Sequence, residues 1–203
     1  MGQTTGLGDV YNVPVRTGDE SVAAGATLLD FWRWVGADLV TNTMRGSFAE
    51  FLVALAVGAA DGVRQEWAPY DVEAEGGVKI EVKASAYLQY WSQEALSTPK
   101  FDIAPKKAWD PATGRYSGEA KRWSDVYVFC LHHHQDKATV EPLDLSQWTF
   151  FILSTARLDA ERRGQKSIGL SALQELGAER VSFEGIATAV CEAARPSRGQ
   201  RVS

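Results

Sequence analysis

Glu81, Lys83, Asp71 and Glu50 are the residues whose types and spacing could do chemistry together. The segment Val78-Lys79-Ile80-Glu81-Val82-Lys83-Ala84-Ser85 alternates strictly, which predicts a strand with Val78, Ile80, Val82 and Ala84 toward the core. Lys79, Glu81, Lys83 and Ser85 then share the other face. Glu81 and Lys83 stand roughly 7 Å apart along it, able to serve one small site without neutralising each other directly. Glu75-Gly76-Gly77 predicts the turn that folds an extended stretch around Trp67 to Val72 against this strand. That pairing brings Asp71 beside Glu81, where like charges repel. Glu50 is the only charged side chain from Phe48 through Ala60, on a predicted helix that is apolar nearly all round and should be buried. An ionised carboxylate there is costly unless it is paired or binds a metal. Three acidic groups gathered by folding call for a cation, and hard oxygens without Cys or His suit Mg²⁺ or Mn²⁺. Plainer readings stand beside this one. Glu50 could pair with Arg45 or Arg64 at the helix edge. Glu-x-Lys occurs by chance about once in a chain this long, and Glu119-Ala120-Lys121 is a second instance.

Other candidates lie downstream. Ser85, Tyr87 and Gln89 keep the parity of Lys83 if the strand runs on, which would let Gln89 touch an attacking water or a phosphate; strand-end polarity is the alternative. His132-His133-His134 suggests a metal site, yet no Cys or further His completes one, so the expectation is a solvated loop. From Ser97 to Ser124 the chain carries six basic side chains, Lys100, Lys106, Lys107, Arg115, Lys121 and Arg122, against Asp102, Asp110 and Glu119. Phe101, Trp109, Tyr116 and Trp123 are interleaved with them. Basic groups for phosphates and aromatic faces for stacking suit a nucleic acid passing over the site. A surface loop pinned to the core by its aromatics is the equal alternative. No Gly-rich phosphate loop and no Gly-x-Ser-x-Gly nucleophile elbow occurs.

The elements that must position these groups follow from periodicity. The chain has 203 residues, 45% hydrophobic and 23% charged, with a net charge of −5, which excludes a disordered chain and a generic polyanion-coating protein. No apolar run is long enough to span a bilayer and no secretory signal is visible. Two cysteines in apolar surroundings fit a reduced, cytoplasmic protein with inert thiols. Residues 1–19 predict a flexible arm and 196–203 a frayed tail, leaving 20–195 as one domain. Val22, Leu28, Leu29, Trp32, Val35 and Leu39 predict a helix over Ser21 to Leu39. Trp32 and Trp34 on it could bury a dimer contact or pack on the sheet. Asn42 or Thr43 can cap a second helix, Arg45 to about Ala59. Strands are predicted around Asp71 and over Val78 to Ser85, Asp125 to Leu131 and Gln147 to Leu153, with closing helices at Leu170 to Leu176 and Glu184 to Ala194. Ala86 to Ser124 reads as a long irregular connection, a kind of loop that is usually functional.

The ordered set of Glu50 on a helix, Pro69-Tyr70-Asp71 on a strand, a turn, then Ile80-Glu81-Val82-Lys83 resembles the PD-(D/E)XK, or restriction-endonuclease-like, nuclease superfamily. The resemblance covers roughly residues 45 to 91, with Tyr70 intervening between Pro69 and Asp71. Phe31-Trp-Arg-Trp34 and Ala86-Tyr-Leu-Gln-Tyr-Trp91 look like an uncharacterised bacterial branch of that group. The resemblance implies a three-layer α/β/α fold on a central mixed four-stranded sheet and Mg²⁺-dependent hydrolysis of DNA phosphodiesters, RNA not excluded, in defence or DNA processing. It implies that Asp71, Glu81 and the Val82 carbonyl ligate Mg²⁺, with Glu50 binding through water or holding a second ion. Lys83 would orient or help deprotonate the attacking water. A homodimer is a further implication, since cutting both strands of a duplex often uses paired sites. The alternative is a nucleic-acid-binding or assembly module that keeps the fold without the chemistry.

Overall fold

The computed structural model describes residues 14–64, 68–110 and 114–195. The expected tail, most of the expected arm, and Trp67 lie outside the described residues. The chain is α/β, with elements in the order α1 (Leu28–Gly36), α2 (Asn42–Ala56), β1 (Val72–Ala74), β2 (Val78–Ala86), β3 (Lys100–Asp102), β4 (Lys106–Asp110), β5 (Arg115–Lys121), β6 (Val126–His132), β7 (Trp148–Ser154), α3 (Thr155–Glu161), β8 (Ser167–Gly169), α4 (Leu170–Glu175), β9 (Glu179–Val181) and α5 (Ile186–Ala193).

A mixed sheet of five strands, one more than expected, runs β1-β2-β6-β7-β9. The pair β2–β6 is parallel and the other neighbours are antiparallel. Every residue of β6 is buried, as suits a central strand covered on both faces. Its alternate side chains divide the core in two. Val126, Val128 and Cys130 join Ile80, Val82, Phe150 and Ile152 beneath α2 and α5. Tyr127, Phe129 and Leu131 join Phe151, Leu153, Leu158 of α3 and Leu173 of α4 on the opposite face.

Local chemistry sets the ends of α2. The Thr41 hydroxyl accepts from the Met44 amide at the N-terminus. At the C-terminus Gly58, with φ +71°, reverses the chain while its amide donates to the Leu55 carbonyl and that of Ala59 to Ala54. This reversal returns the following segment along the helix and sets Arg64 beside Glu50. The helix buries Arg45, Ala49, Leu52 and Val53 along one stripe, while Phe51 and Leu55 stay about half exposed. The expectation of a helix enclosed on most faces is therefore corrected, because only its inner stripe meets the sheet.

Three further expectations change. The first helix begins at Leu28, because Ser21 and Thr27 form a bridge around a turn in which Gly25 and Ala24 take positive φ. Trp34 on it is largely exposed and does not pack on the sheet. The connection after β2 is not irregular. Phe101 of β3 is buried and β3 pairs with β8, while β4 and β5 form a hairpin of their own. The histidine run is not a solvated loop: His132 ends β6, is buried, and stacks on Trp148 at 4.7 Å. Burial holds its pKa down to about 4. His133 and His134 follow the strand and are both partly buried, one ring bonded to the Thr149 hydroxyl at 3.0 Å and the other to the Thr139 hydroxyl at 2.8 Å.

Arg122 departs furthest from a nucleic-acid contact. Its side chain is fully enclosed and donates to the carbonyls of Ile103 at 2.9 Å, Arg162 at 3.0 Å and Gln165 at 3.2 Å, and to Asp159. It ties the connection to the loop after α3. Arg122→Ala should lower the unfolding free energy in urea by about 3 kcal/mol or more, since it strands buried acceptors. Arg115→Ala, on an exposed position, should stay within about 0.5 kcal/mol of the parent.

Candidate active site

The turn at Gly76 and Gly77, both with φ near +80°, folds β1 onto β2 in a register that opposes Val72 to Ile80. Asp71 lies one position before the first residue of this ladder. The Asp71 amide donates to the Ile80 carbonyl at 3.0 Å. Its carboxylate Oδ2 then accepts from the Val82 amide at 2.7 Å, prolonging the ladder with a side chain where β1 begins. Backbone groups of a given strand residue point to the same edge, so the Val82 carbonyl shares this edge with Asp71.

Glu81 lies on the sheet face opposite Ile80 and Val82 and is buried. Lys83 Nζ is 2.6 Å from Glu81 Oε1 and 3.9 Å from Asp71 Oδ2. The expectation that Glu81 and Lys83 would share a site without direct neutralisation is corrected, because the lysine folds back along the strand onto the carboxylate. A second ammonium, Lys106 Nζ, reaches the same Oε1 at 3.1 Å from β4. Sequence reasoning placed Lys106 among phosphate contacts and missed this role. Its positive sign is the one mark it carries in sequence, and its contact with Glu81 required the fold.

Two carboxylates and two ammonium groups therefore converge at β2, with Asp71 from just before β1 and Lys106 from β4. The charges do not cancel evenly. Burial, the Glu81 carboxylate and, to a smaller degree, Glu50 raise the Asp71 carboxyl to about 6, against opposing contributions from Lys83 and the Val82 amide. A carboxyl so poised gives up its proton near neutral pH and gains most from a positive charge placed beside it.

Glu50 stands apart. Both of its oxygens engage Arg64, one from Nε and the other from Nη2 at 3.0 Å. The pairing with Arg64 foreseen as the plainer reading is what the fold delivers. Among the described residues no three His, Cys, Asp or Glu side chains gather closely enough to hold a metal by themselves. The expected convergence of three carboxylates is thus replaced by the pair Asp71 and Glu81. A cavity of about 640 Å³ still connects Glu50, Arg64, Tyr70 and Asp71 along its wall.

Gln89 is not on β2, which ends at Ala86, so strand alternation does not carry it to the carboxylates. It is buried, donates to the Ala86 carbonyl at 3.1 Å and accepts from Arg45 at 3.4 Å. It nonetheless lines a cavity of about 500 Å³ with Lys83 and Lys100. Lys100, Lys107, Arg115 and Lys121 are exposed, and Lys121 sits 4.0 Å over the Trp123 ring. Among the described residues no helix is long and apolar enough to cross a membrane.

With this geometry in place, comparison with known proteins adds the family. The model of the bacteriophage T4 endonuclease IV family matches residues 35–172, about two-thirds of the chain, so the chain belongs to that family, which is one of nucleases. The matched span contains α2, the β1–β2 hairpin and β4, and with them every residue of the carboxylate site. No curated protein matches the chain.

The sign of the Asp71 shift gives a prediction. A carboxyl whose folded-state pKa lies above its unfolded value of 3.8 contributes stability below pH 4 that is lost as pH rises through about 6. Asp71→Asn keeps an acceptor for the Val82 amide and removes the charge. It should be more stable than the parent at pH 8, by at most about 3 kcal/mol at 1.36 kcal/mol per pKa unit. The advantage should vanish near pH 4 in thermal melts.

Proposed function

We propose that the protein is a divalent-metal-dependent endonuclease of the PD-(D/E)XK type, hydrolysing phosphodiester bonds of DNA at the Asp71, Glu81 and Lys83 site. One observation carries the reading: the hairpin holds two carboxylates together at a strand edge, with Lys83 Nζ 2.6 Å from one and 3.9 Å from the other. A site built only for stability gains little from such a pair, because a buried carboxylate beside a half-buried one costs more than an apolar pair of similar volume. Membership of a family described as bacteriophage T4 endonuclease IV supports hydrolysis of nucleic acid as the reaction and DNA as the substrate.

The donor set fits a hard cation. Mg²⁺ is commonly bound by one or two carboxylates, with water and substrate phosphate completing its shell, and the candidates here are Asp71, Glu81 and the Val82 carbonyl. Mg²⁺ or Mn²⁺ would polarise the phosphate and make hydroxide available near neutral pH. Asp71 is held in place by the Val82 amide, so its oxygens are preorganised. Lys83, partly enclosed beside both carboxylates, orients the attacking water and offsets negative charge on the pentacovalent phosphorus. Lys106 supplies counter-charge to Glu81 from the hairpin side. Glu50 acts at longer range, raising the proton affinity of Asp71 while Arg64 holds it.

The reaction is checked with plasmid and single-stranded circular DNA in Mg²⁺, Mn²⁺ and EDTA. Cleavage in either metal, none in EDTA, and a loss of about a hundredfold or more in Lys83→Ala is the expected pattern. Folded Lys83→Ala that cuts as fast as the parent would remove the proposed chemistry.

A further inference from the structure

Arg45 is an enclosed charge that Asp38 offsets only from a distance. It projects from the first turns of α2, retains only 3% of its surface, and forms no ion pair among the described residues. Its Nη2 donates to the carbonyls of Val40 and, at 3.1 Å, Leu88. Nη1 makes two long bonds to neutral amide oxygens, Asn42 at 3.3 Å and Gln89 at 3.4 Å. Nε is buried with no partner at all. The contrast with Arg122, the other enclosed arginine, is direct: that one meets Asp159. Retaining a buried guanidinium among neutral acceptors costs several kcal/mol, a cost offset when an anion joins it.

The surroundings offer such an anion a place. Arg45, Asn42, Gln89, Lys83 and Lys100 line the cavity of about 500 Å³ between α2, the end of β2 and β3, with Asp102 as its one acidic wall. Its basic side chains outnumber that carboxylate. Lys83 borders both this cavity and the carboxylate pair, so an occupant sits next to the reacting centre. Guanidinium groups favour phosphate because their fork of donors matches its oxygens, with charge-assisted bonds shorter than the two that Nη1 now makes.

We propose that this cavity is a phosphate subsite, in which Arg45 and Lys100 grip a phosphate of the bound strand neighbouring the one cut at Asp71, Glu81 and Lys83. Gln89 is a positioning residue that holds the guanidinium toward the cavity. The inference rests on the nuclease reading for its ligand, a nucleic-acid strand, and adds where that strand is held. A backbone phosphodiester and a terminal phosphate present the same oxyanion chemistry.

Binding without turnover tests it. A labelled oligonucleotide is titrated in EDTA against the parent, Arg45→Gln, Arg45→Lys and Lys100→Ala across a salt series, by fluorescence anisotropy. Lys100→Ala, at an exposed position, should weaken binding about fivefold to tenfold and lower the salt slope by about 1. Arg45→Gln should do at least as much, and Arg45→Lys should fall between it and the parent. One methylphosphonate walked along the strand should abolish the difference between parent and Lys100→Ala at a single position if a backbone phosphate is held. Removal of the end phosphate should abolish it instead if a terminus is held. Should Arg45→Gln fail to fold, Lys100→Ala and the methylphosphonate series decide. Parent-like affinity and slope in folded Lys100→Ala, or no binding by the parent, would overturn the subsite. Metal-dependent cleavage is scored separately, so a nuclease without this subsite and a phosphate-binding protein without cleavage give different results.

Discussion

The structure turns on a repulsion built in by the hairpin. Asp71 immediately precedes the Val72–Ile80 pair, its Oδ2 is tied to the Val82 amide, and Lys83 spans from it to Glu81, so the two carboxylates are held as neighbours. The Val82 amide, two ammonium groups and, at greater distance, Arg64 on Glu50 can be understood as responses to it. Three elements supply them: β2, which gives both the Val82 amide and Lys83, the β4–β5 hairpin, and the segment after α2. A site whose charges are balanced by three separate pieces of chain can be assembled only when all three are in place.

The same accounting explains why α2 matters although its carboxylate is not in the pair. The Gly58 reversal determines where Arg64 falls, and Arg64 determines whether Glu50 is an open charge or a neutralised one. Freed from Arg64, Glu50 would add its field to an already crowded edge. Held as it is, it tunes Asp71 from a distance.

Much of this was legible in the sequence and some of it was not. The strict alternation of Val78 to Ser85, the paired glycines and the apolar runs of β6 and β7 are strong periodic signals, so the hairpin, its facing acids and the central strands were readable. Strands β3, β8 and β9 have three residues each, too few for a period, and pair only because the rest of the fold presents an edge. The β4–β5 hairpin is polar and largely exposed, which in sequence is indistinguishable from a loop. Arg45, Arg122 and Lys106 were misjudged or passed over for one reason. A basic side chain carries no mark in its own identity that tells burial from exposure, and its role is decided by acceptors tens of residues away. The Glu50–Arg64 pair was nameable as an alternative but not selectable, because it depends on the chain reversal at Gly58.

Parallel pairing of β2 with β6 has a consequence for the order of assembly. The β1–β2 hairpin closes over a handful of residues and can form while its acids are still hydrated. Its neighbour β6 arrives only after some forty intervening residues have been laid across the face, a slow and non-local closure. Dehydration of Asp71 and Glu81 is therefore deferred to the late docking step, and the barrier to completing the sheet should grow as those acids ionise.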